Sequence, residues 1–195
     1  MKIGIDLDGV VYDSEKDFRV YQELYDMYVL KKNTKIDEKE IRIQKRFDWS
    51  DEIFMDFLDR YYAPIVKETN YMPGAKMVLK MLKEEGHELI IITARGALEE
   101  NDNIEKLTKE RLSKDNFEIF DKYCFGAQDK AEVCKNEKID VMIDDSNLNC
   151  KNTSEHQIKT IYLKDAPSYD MEENEYLKVL YNWGEIYRYL KDIEN

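Results

Sequence analysis

This chain lacks most of what would mark a stapled, membrane-bound or polyanion-binding protein. It has 3 cysteines, Cys124, Cys134 and Cys150, an odd number at spacings that match no zinc site. Free thiols in a reducing cytoplasm are the expectation. The 2 histidines, His87 and His156, are expected to be structural or exposed. No apolar run approaches the ~20 residues of a membrane span. The N-terminus enters an apolar strand directly, with no basic leader and long apolar core. A cytoplasmic location is therefore expected. Basic charge is also scarce: 30 Lys and Arg face 42 Asp and Glu, for a net charge of −12. That balance argues against a nucleic-acid partner, whose affinity rests on neutralised phosphates, and against an anionic membrane surface. A small anionic substrate remains compatible if a bound cation and a few basic groups focus a local positive potential. Internal repeats and low-complexity tracts are absent too.

What is present suits a folded α/β protein. At 195 residues, 43% hydrophobic and 12% aromatic, the chain is long and apolar enough to bury a core without staples. Short apolar runs at 2–7, 87–93, 122–125, 139–143 and 158–163 read as strands, and amphipathic or charged stretches between them read as helices. Alternation of this kind predicts a parallel sheet with helices on both faces. The segment from Asp13 to about Lys67 differs in character. Phe18, Tyr21, Tyr25 and Tyr28 form a helical stripe, Ile36 to Phe47 fits a second short helix, and Ser50 begins a third. This predicts a small all-helical insertion. Glu173 to Ile193 is expected to form one final helix.

Three strand ends carry polar groups. The first run closes in Asp6-Leu7-Asp8-Gly9, and on a strand two such aspartates project to the same side, roughly 6.5–7 Å apart. The second closes in Thr93-Ala94-Arg95-Gly96, and a third in Asp144-Asp145-Ser146, with Lys130 opening the helix before it. In open parallel sheets ligands bind beyond the carboxyl ends of the strands. Acidic oxygens suit a hard divalent cation, and a hydroxyl with an ammonium suits phosphate. The set fits phosphoryl transfer, with a carboxylate as attacking group. A calcium loop is the bland alternative for Asp6-x-Asp8-Gly9. That loop needs a bidentate Glu at its twelfth position, where this chain has Asp17.

The ordered set Asp6-Leu7-Asp8-Gly9-Val10, Thr93, Lys130 and Asp144-Asp145 resembles the four motifs of the haloacid-dehalogenase-like phosphohydrolases. Within them the chain is most similar to the 5'(3')-deoxyribonucleotidase group and its nucleotidase relatives. Asp6-Leu7-Asp8-Gly9-Val10-Val11-Tyr12-Asp13, Met72-Pro73-Gly74-Ala75 and Met142-Ile143-Asp144-Asp145-Ser146 carry that likeness. Thr93-Ala94-Arg95 departs from the Thr-Ser-Pro of the animal nucleotidases. The resemblance implies a Rossmann-like α/β core domain from 1–12 and 69–195, with a helical cap at 13–68 inserted after the first strand.

It also implies roles. Asp6 would be nucleophile and Mg²⁺ ligand, and Asp8 acid and then base, its backbone carbonyl on the metal. Thr93, Ala94, Arg95 and Lys130 would hold phosphate, and Asp144 and Asp145 would complete the metal site. In the cap, Phe47, Trp49 and Tyr61 are candidates to stack on a base, which always offers a π-face. The implied protein is a Mg²⁺-dependent phosphomonoesterase working through an aspartyl-phosphate, a 5'-nucleotidase by preference. A phosphatase for another metabolite such as a sugar phosphate is the alternative, and a binding or regulatory module without turnover is the alternative of another class. The partners implied are a small phosphorylated substrate and, at most, a second copy in a homodimer.

Overall fold

The computed structural model describes residues 1–40, 42–96, 102–164 and 167–194. Its centre is a parallel sheet of β1 (Lys2–Ile5), β2 (Glu88–Ile92), β3 (Lys122–Cys124), β4 (Val141–Asp144), β5 (Lys159–Leu163) and β6 (Leu177–Leu180). The order across the sheet is β3-β2-β1-β4-β5-β6, and every pair is parallel. Seven α-helices are described: α1 (Ser14–Leu24), α2 (Asp51–Glu68), α3 (Ala75–Glu84), α4 (Asp102–Lys114), α5 (Lys130–Glu137), α6 (Asn147–Glu155) and α7 (Trp183–Glu194). The α/β class expected from the alternating pattern is therefore the one observed.

β1 lies between β2 and β4, where strand order reverses, so its carboxyl end opens at the switch point of the sheet. Ile3, Ile5, Leu89, Ile91, Val141 and Ile143 are fully or almost fully buried on one face, with α3 and α7 residues Leu79, Leu82, Ile186 and Leu190 against them. The other face, with Ile90, Ile92 and Met142, packs on α5. Strands buried on both faces need near-continuous apolar sequence, which is how they read. Trp183 fastens α7 to the turn after β1, its Nε1–H donating to the Val10 carbonyl at 2.9 Å.

Between β1 and α3, helices α1 and α2 pack around Phe18, Tyr25, Phe57, Leu58 and Ile65, a cluster separate from that of the sheet. A π-helical turn, Tyr25–Val29, extends α1. The stretch expected as a helix from 36 to 47 is instead irregular at its described residues, with an antiparallel bridge between Ile36 and Phe47; Ile41 lies outside the described residues. The reason is side-chain bonding that outcompetes a helix. Buried Arg46 donates to the Glu15 carboxylate, the Gln22 side chain and the Glu40 carbonyl. Asp26, buried at the π-turn, accepts from Thr34 and from Trp49 Nε1.

Three further expectations change. Residues 173–193 do not form one helix: Leu177–Leu180 pairs with β5, and α7 starts at Trp183. Asn182 and Glu185 bond reciprocally there, the Glu185 N–H to Asn182 Oδ1 and Asn182 Nδ2 to the Glu185 carboxylate, in the manner of a capping box. Helix α6, which hydropathy did not reveal, is capped by Ser146, whose Oγ accepts the Asn149 N–H at 3.4 Å. β1 ends at Ile5, so Asp6 and Asp8 do not share a strand face.

Gly4, mid-strand in β1, leaves no room for a methyl: a Cβ there would meet Met142 Sδ at 2.8 Å and Ile92 Cδ1 at 3.0 Å. Overpacking of this kind costs about 1–3 kcal/mol, or about 2–4 °C of Tm per kcal/mol at this size. Thermal melting of Gly4→Ala is expected to show a loss of about 5 °C; an unchanged Tm would mean that the face packed on α5 is looser than described.

Candidate active site

The side chains read from the strand ends gather at the carboxyl edge of the sheet. Asp6 follows β1, and its N–H continues the ladder to the Ile143 carbonyl at 3.0 Å. Asp144 ends β4, wholly buried. Lys130, 2% exposed, is the first residue of α5, a helix start fixed by Asp129 accepting the Glu132 N–H. Its ammonium sits between the two acids, 2.9 Å from Asp6 Oδ2 and 2.6 Å from Asp144 Oδ2. Asp144 is held from its other side by the Ser146 N–H at 2.8 Å and by Asn149 Nδ2. Asn149 comes from α6, so the unread helix supplies a residue of the site.

Asp145 closes the group. One carboxylate oxygen from each of Asp6, Asp144 and Asp145 lies within 4.8 Å of the others. Gly9 makes this approach achievable. Its φ of +71° is left-handed, and a Cβ on it would fall 1.9 Å from Asp145 Oδ2. Burial lifts the Asp6 carboxyl to about 6, Asp144 and Asp8 adding to the rise and Lys130 opposing it. Burial, then repulsion from Asp144 and Asp6, raises Asp145 as well. Asp6 Oδ1 is buried with no hydrogen-bond partner. An orphaned buried oxygen among clustered acids with one nearby ammonium fits a hard divalent cation, with Asp6, Asp144 and Asp145 as its carboxylate ligands.

Asp8 behaves differently. Its carboxylate is not in that cluster but turned toward Arg95, which donates from Nε to Oδ2 at 2.7 Å and from Nη2 to Oδ1 at 2.6 Å. Ser14 Oγ donates to Oδ1 at 2.6 Å. Burial alone would raise this carboxyl; the Arg95 guanidinium and the Ser14 hydroxyl outweigh it and hold it below its ordinary value. The Asp8 side chain stands apart from the three clustered acids, and the Arg95 side chain, expected on phosphate, is instead committed to Asp8. Ser14, the first residue of α1, thus serves Asp8. Nothing in the sequence joins Asp8 to a partner 87 positions away.

Thr93, 1% exposed, follows β2, with its N–H bonded to the Cys124 carbonyl and its carbonyl accepting the Ala127 N–H. Thr93 and Ala94 line the same cleft as Asp6, Asp8, Lys130 and Asp145. The cleft holds about 760 Å³, a volume suited to a small molecule. Its far wall is apolar, made by Phe18, Ile43, Phe54, Met55, Leu58 and Tyr62, with Arg42, Gln44 and Asp51 among its polar groups. The aromatics expected to face a base are elsewhere. Phe47 is stacked on Trp49, Trp49 packs edge-on to Tyr25, Tyr61 stacks on Tyr21, and none of the three lines the cleft. They fill the interior of the helical segment because large rings bury most area there. The three cysteines are free thiols, and among the described residues no helix is long and apolar enough to cross a membrane.

No family model matches the chain. A curated protein of Bacillus subtilis (strain 168), named "Putative nucleotidase YqfW", is 23% identical over 192 residues, spanning 98% of this chain and 94% of that protein. Among solved structures, the haloacid dehalogenase-like hydrolase SP0104 from Streptococcus pneumoniae superposes with a TM-score of 0.71 at 16% identity, covering 97% of each chain. A protein of Clostridium acetobutylicum described as a "predicted phosphatase" gives 0.71 at 15% identity and 98% coverage of both. The chain thus has the haloacid-dehalogenase-like α/β fold, and its solved neighbours are hydrolases of that superfamily.

The raised acids make a pH prediction. Where a carboxyl has a higher pKa folded than unfolded, the folded state binds more protons in the window between, so stability falls as pH rises through it. The window opens at the ordinary carboxylate range and runs through about 6 for Asp6, and Asp145 is shifted in the same direction. Metal-free protein is expected to lose Tm as pH rises from about 4 through about 6, with Mg²⁺ restoring more above that window because binding releases the retained protons. Melting curves with and without Mg²⁺ test this; no Mg²⁺ effect near pH 8 would count against a cation site.

Proposed function

We propose that this chain is a Mg²⁺-dependent phosphomonoesterase that works through an aspartyl-phosphate on Asp6, with a nucleoside monophosphate as its leading substrate. The observation that carries the reading is the buried Asp6–Lys130–Asp144 array, joined by Asp145 and Thr93 at the mouth of one cleft. A Mg²⁺ ion bound by Asp6, Asp144 and Asp145 would supply charge neutralisation at phosphate and carboxylate oxygens.

The chain's own groups do the rest. Lys130 holds Asp6 ionised and oriented, and together with Thr93 and the backbone after it receives the phosphate. An Asp6 oxygen attacks phosphorus while the P–O bond to the leaving group breaks. The departing alkoxide is a strong base and takes a proton from Asp8. Water then attacks the phosphorus of the aspartyl-phosphate, giving its proton to Asp8, and inorganic phosphate leaves with Asp6 regenerated. In the fork of Arg95, Asp8 is held as the carboxylate, the form the second step needs; the first step begins from its protonated form.

In this reading residues 13–68 are a cap over the core formed by 1–12 and 69–195. Two things favour a nucleotide over a sugar phosphate: the apolar wall of Phe18, Phe54, Met55, Leu58 and Tyr62 suits a flat, weakly polar leaving group, and a relative spanning nearly the whole chain carries a nucleotidase name. Against that wall the hydroxyls of a sugar phosphate would have few partners beyond Arg42, Gln44 and Asp51.

Phosphate release from p-nitrophenyl phosphate is expected with Mg²⁺, to vanish with a chelator, and to fall to background in Asp6→Asn. An active Asp6→Asn enzyme would exclude the covalent route. Across a panel of phosphorylated metabolites, kcat/KM should be highest for nucleoside monophosphates; preference for sugar phosphates would overturn the substrate assignment while leaving the chemistry intact.

A further inference from the structure

We propose that Arg95 is a positioning residue for Asp8: it sets the direction of the Asp8 carboxyl group from behind and does not bind the phosphate. The inference rests on the phosphatase reading above and adds to it a residue with a task of its own.

Every nitrogen of the guanidinium is spoken for. Nε and Nη2 grip the two Asp8 oxygens as a fork, at 2.7 and 2.6 Å. Nη1 donates to Thr108 Oγ1 at 3.0 Å. Thr108 is wholly buried on α4 and passes its own proton to the Ile104 carbonyl, so its oxygen is left to accept from Arg95. The Tyr12 ring lies 5.1 Å from the Arg95 Cζ, closing another side. Both residues border the cleft, but the Arg95 side chain is 1% exposed and that of Asp8 31%, so the arginine lies deeper and the acid is the more open of the two. With Ser14, three donors occupy three of the roughly four acceptor positions of the Asp8 carboxylate. The position that remains is the one for a proton in transit to or from substrate.

A bidentate fork fixes the plane of a carboxylate as well as its distance, which a lysine ammonium cannot do. A phosphate ligand, by contrast, turns its donors to the cleft; the donors described on Arg95 go to Asp8 and Thr108, while Lys130 is bonded to Asp6 and Thr93 lines the cleft beside it. Thr108 also gives the arrangement a fixed frame, because α4 packs on α2 through Ile104, Leu107 and Val66.

The test compares Arg95→Lys, Arg95→Gln and Thr108→Val with the wild-type chain in Mg²⁺, well below each variant's Tm. The measurements are kcat and KM for an alkyl phosphate such as glycerol 2-phosphate, whose leaving alkoxide needs the proton, and the competitive inhibition constant of inorganic phosphate. Loss of a positioned acid–base group is felt in kcat. Both arginine variants should therefore lose about tenfold or more in kcat, with KM and the phosphate constant within about twofold of wild type. Thr108→Val, which keeps the fork and removes its anchor, should lose about two- to fivefold in kcat with the phosphate constant unmoved. A phosphate constant raised about tenfold at retained kcat would make Arg95 a phosphate ligand and overturn the proposal. So would wild-type kcat in Arg95→Lys or Arg95→Gln. If the arginine variants do not fold, Thr108→Val decides, and unchanged kcat there overturns the proposal. Turnover by the wild-type chain judges the phosphatase reading separately.

Discussion

Four carboxylates, those of Asp6, Asp8, Asp144 and Asp145, converge at one end of the sheet, and among the described residues Lys130 and Arg95 are the cations bonded to them there. Repulsion among the acids is the constraint the surroundings answer. Exposed pairs such as Lys106–Glu110 contribute about 0–1 kcal/mol. Breaking a buried pair by removing one partner costs about 3–5 kcal/mol, because a buried charge is left alone. Lys130 has two such partners and is itself 2% exposed. Its place is therefore a condition of the local fold as well as of the chemistry.

Much of the architecture around β1 and β4 can be seen as the means of holding that cluster. The parallel order brings two strand ends side by side, so Asp6 and Asp144 meet across one ladder. Asp129 caps α5 and so fixes where Lys130 starts; Asn152 of α6 bonds Asp129, tying the two helices together. Ser146 caps α6 and so fixes where Asn149 turns back on Asp144. Gly9 removes the one side chain that would keep Asp145 out. Each device is local and polar, and each is supported by the apolar sheet, whose buried isoleucines keep the strands in register.

These local devices explain what could be read from the sequence. The strands at 2–5, 88–92 and 141–144 are short apolar runs with little ambiguity, and Asp6, Thr93 and Asp144 sit at their ends, with Lys130 at the start of the helix before the last of them. Such positions follow from nearest neighbours in the chain. The pairing of Asp8 with Arg95 joins a turn after β1 to a turn after β2, and no periodicity encodes it. The irregular stretch before α2 failed as a helix for a similar reason. Arg46 and Asp26 are organised by partners on α1 and on the π-turn, and helical spacing is blind to those. The division between β6 and α7 was legible in principle, since Asn182 and Glu185 have the spacing of a capping box; the tyrosines and leucines on either side masked it.

The aromatic residues of the helical segment show where sequence and site part company. Phe47, Trp49 and Tyr61 looked like a platform for a base, yet they stack on one another and on α1, while Phe18, Phe54 and Tyr62 reach the cleft. Which ring faces inward is set by the crossing of α1 and α2, and a helical stripe does not reveal that crossing. The consequence is a division of labour. At the core end of the cleft Lys130 and Arg95 are already bonded to the site acids, so those two side chains can do little to sort one phosphate ester from another. On the proposed reading, discrimination would fall to the opposite wall, made by apolar side chains from α1 and α2 with Arg42, Gln44 and Asp51 around them. Exchanges on that wall alter shape and polarity without disturbing the buried charges, so in this fold the leaving group can change while the chemistry at phosphorus stays the same.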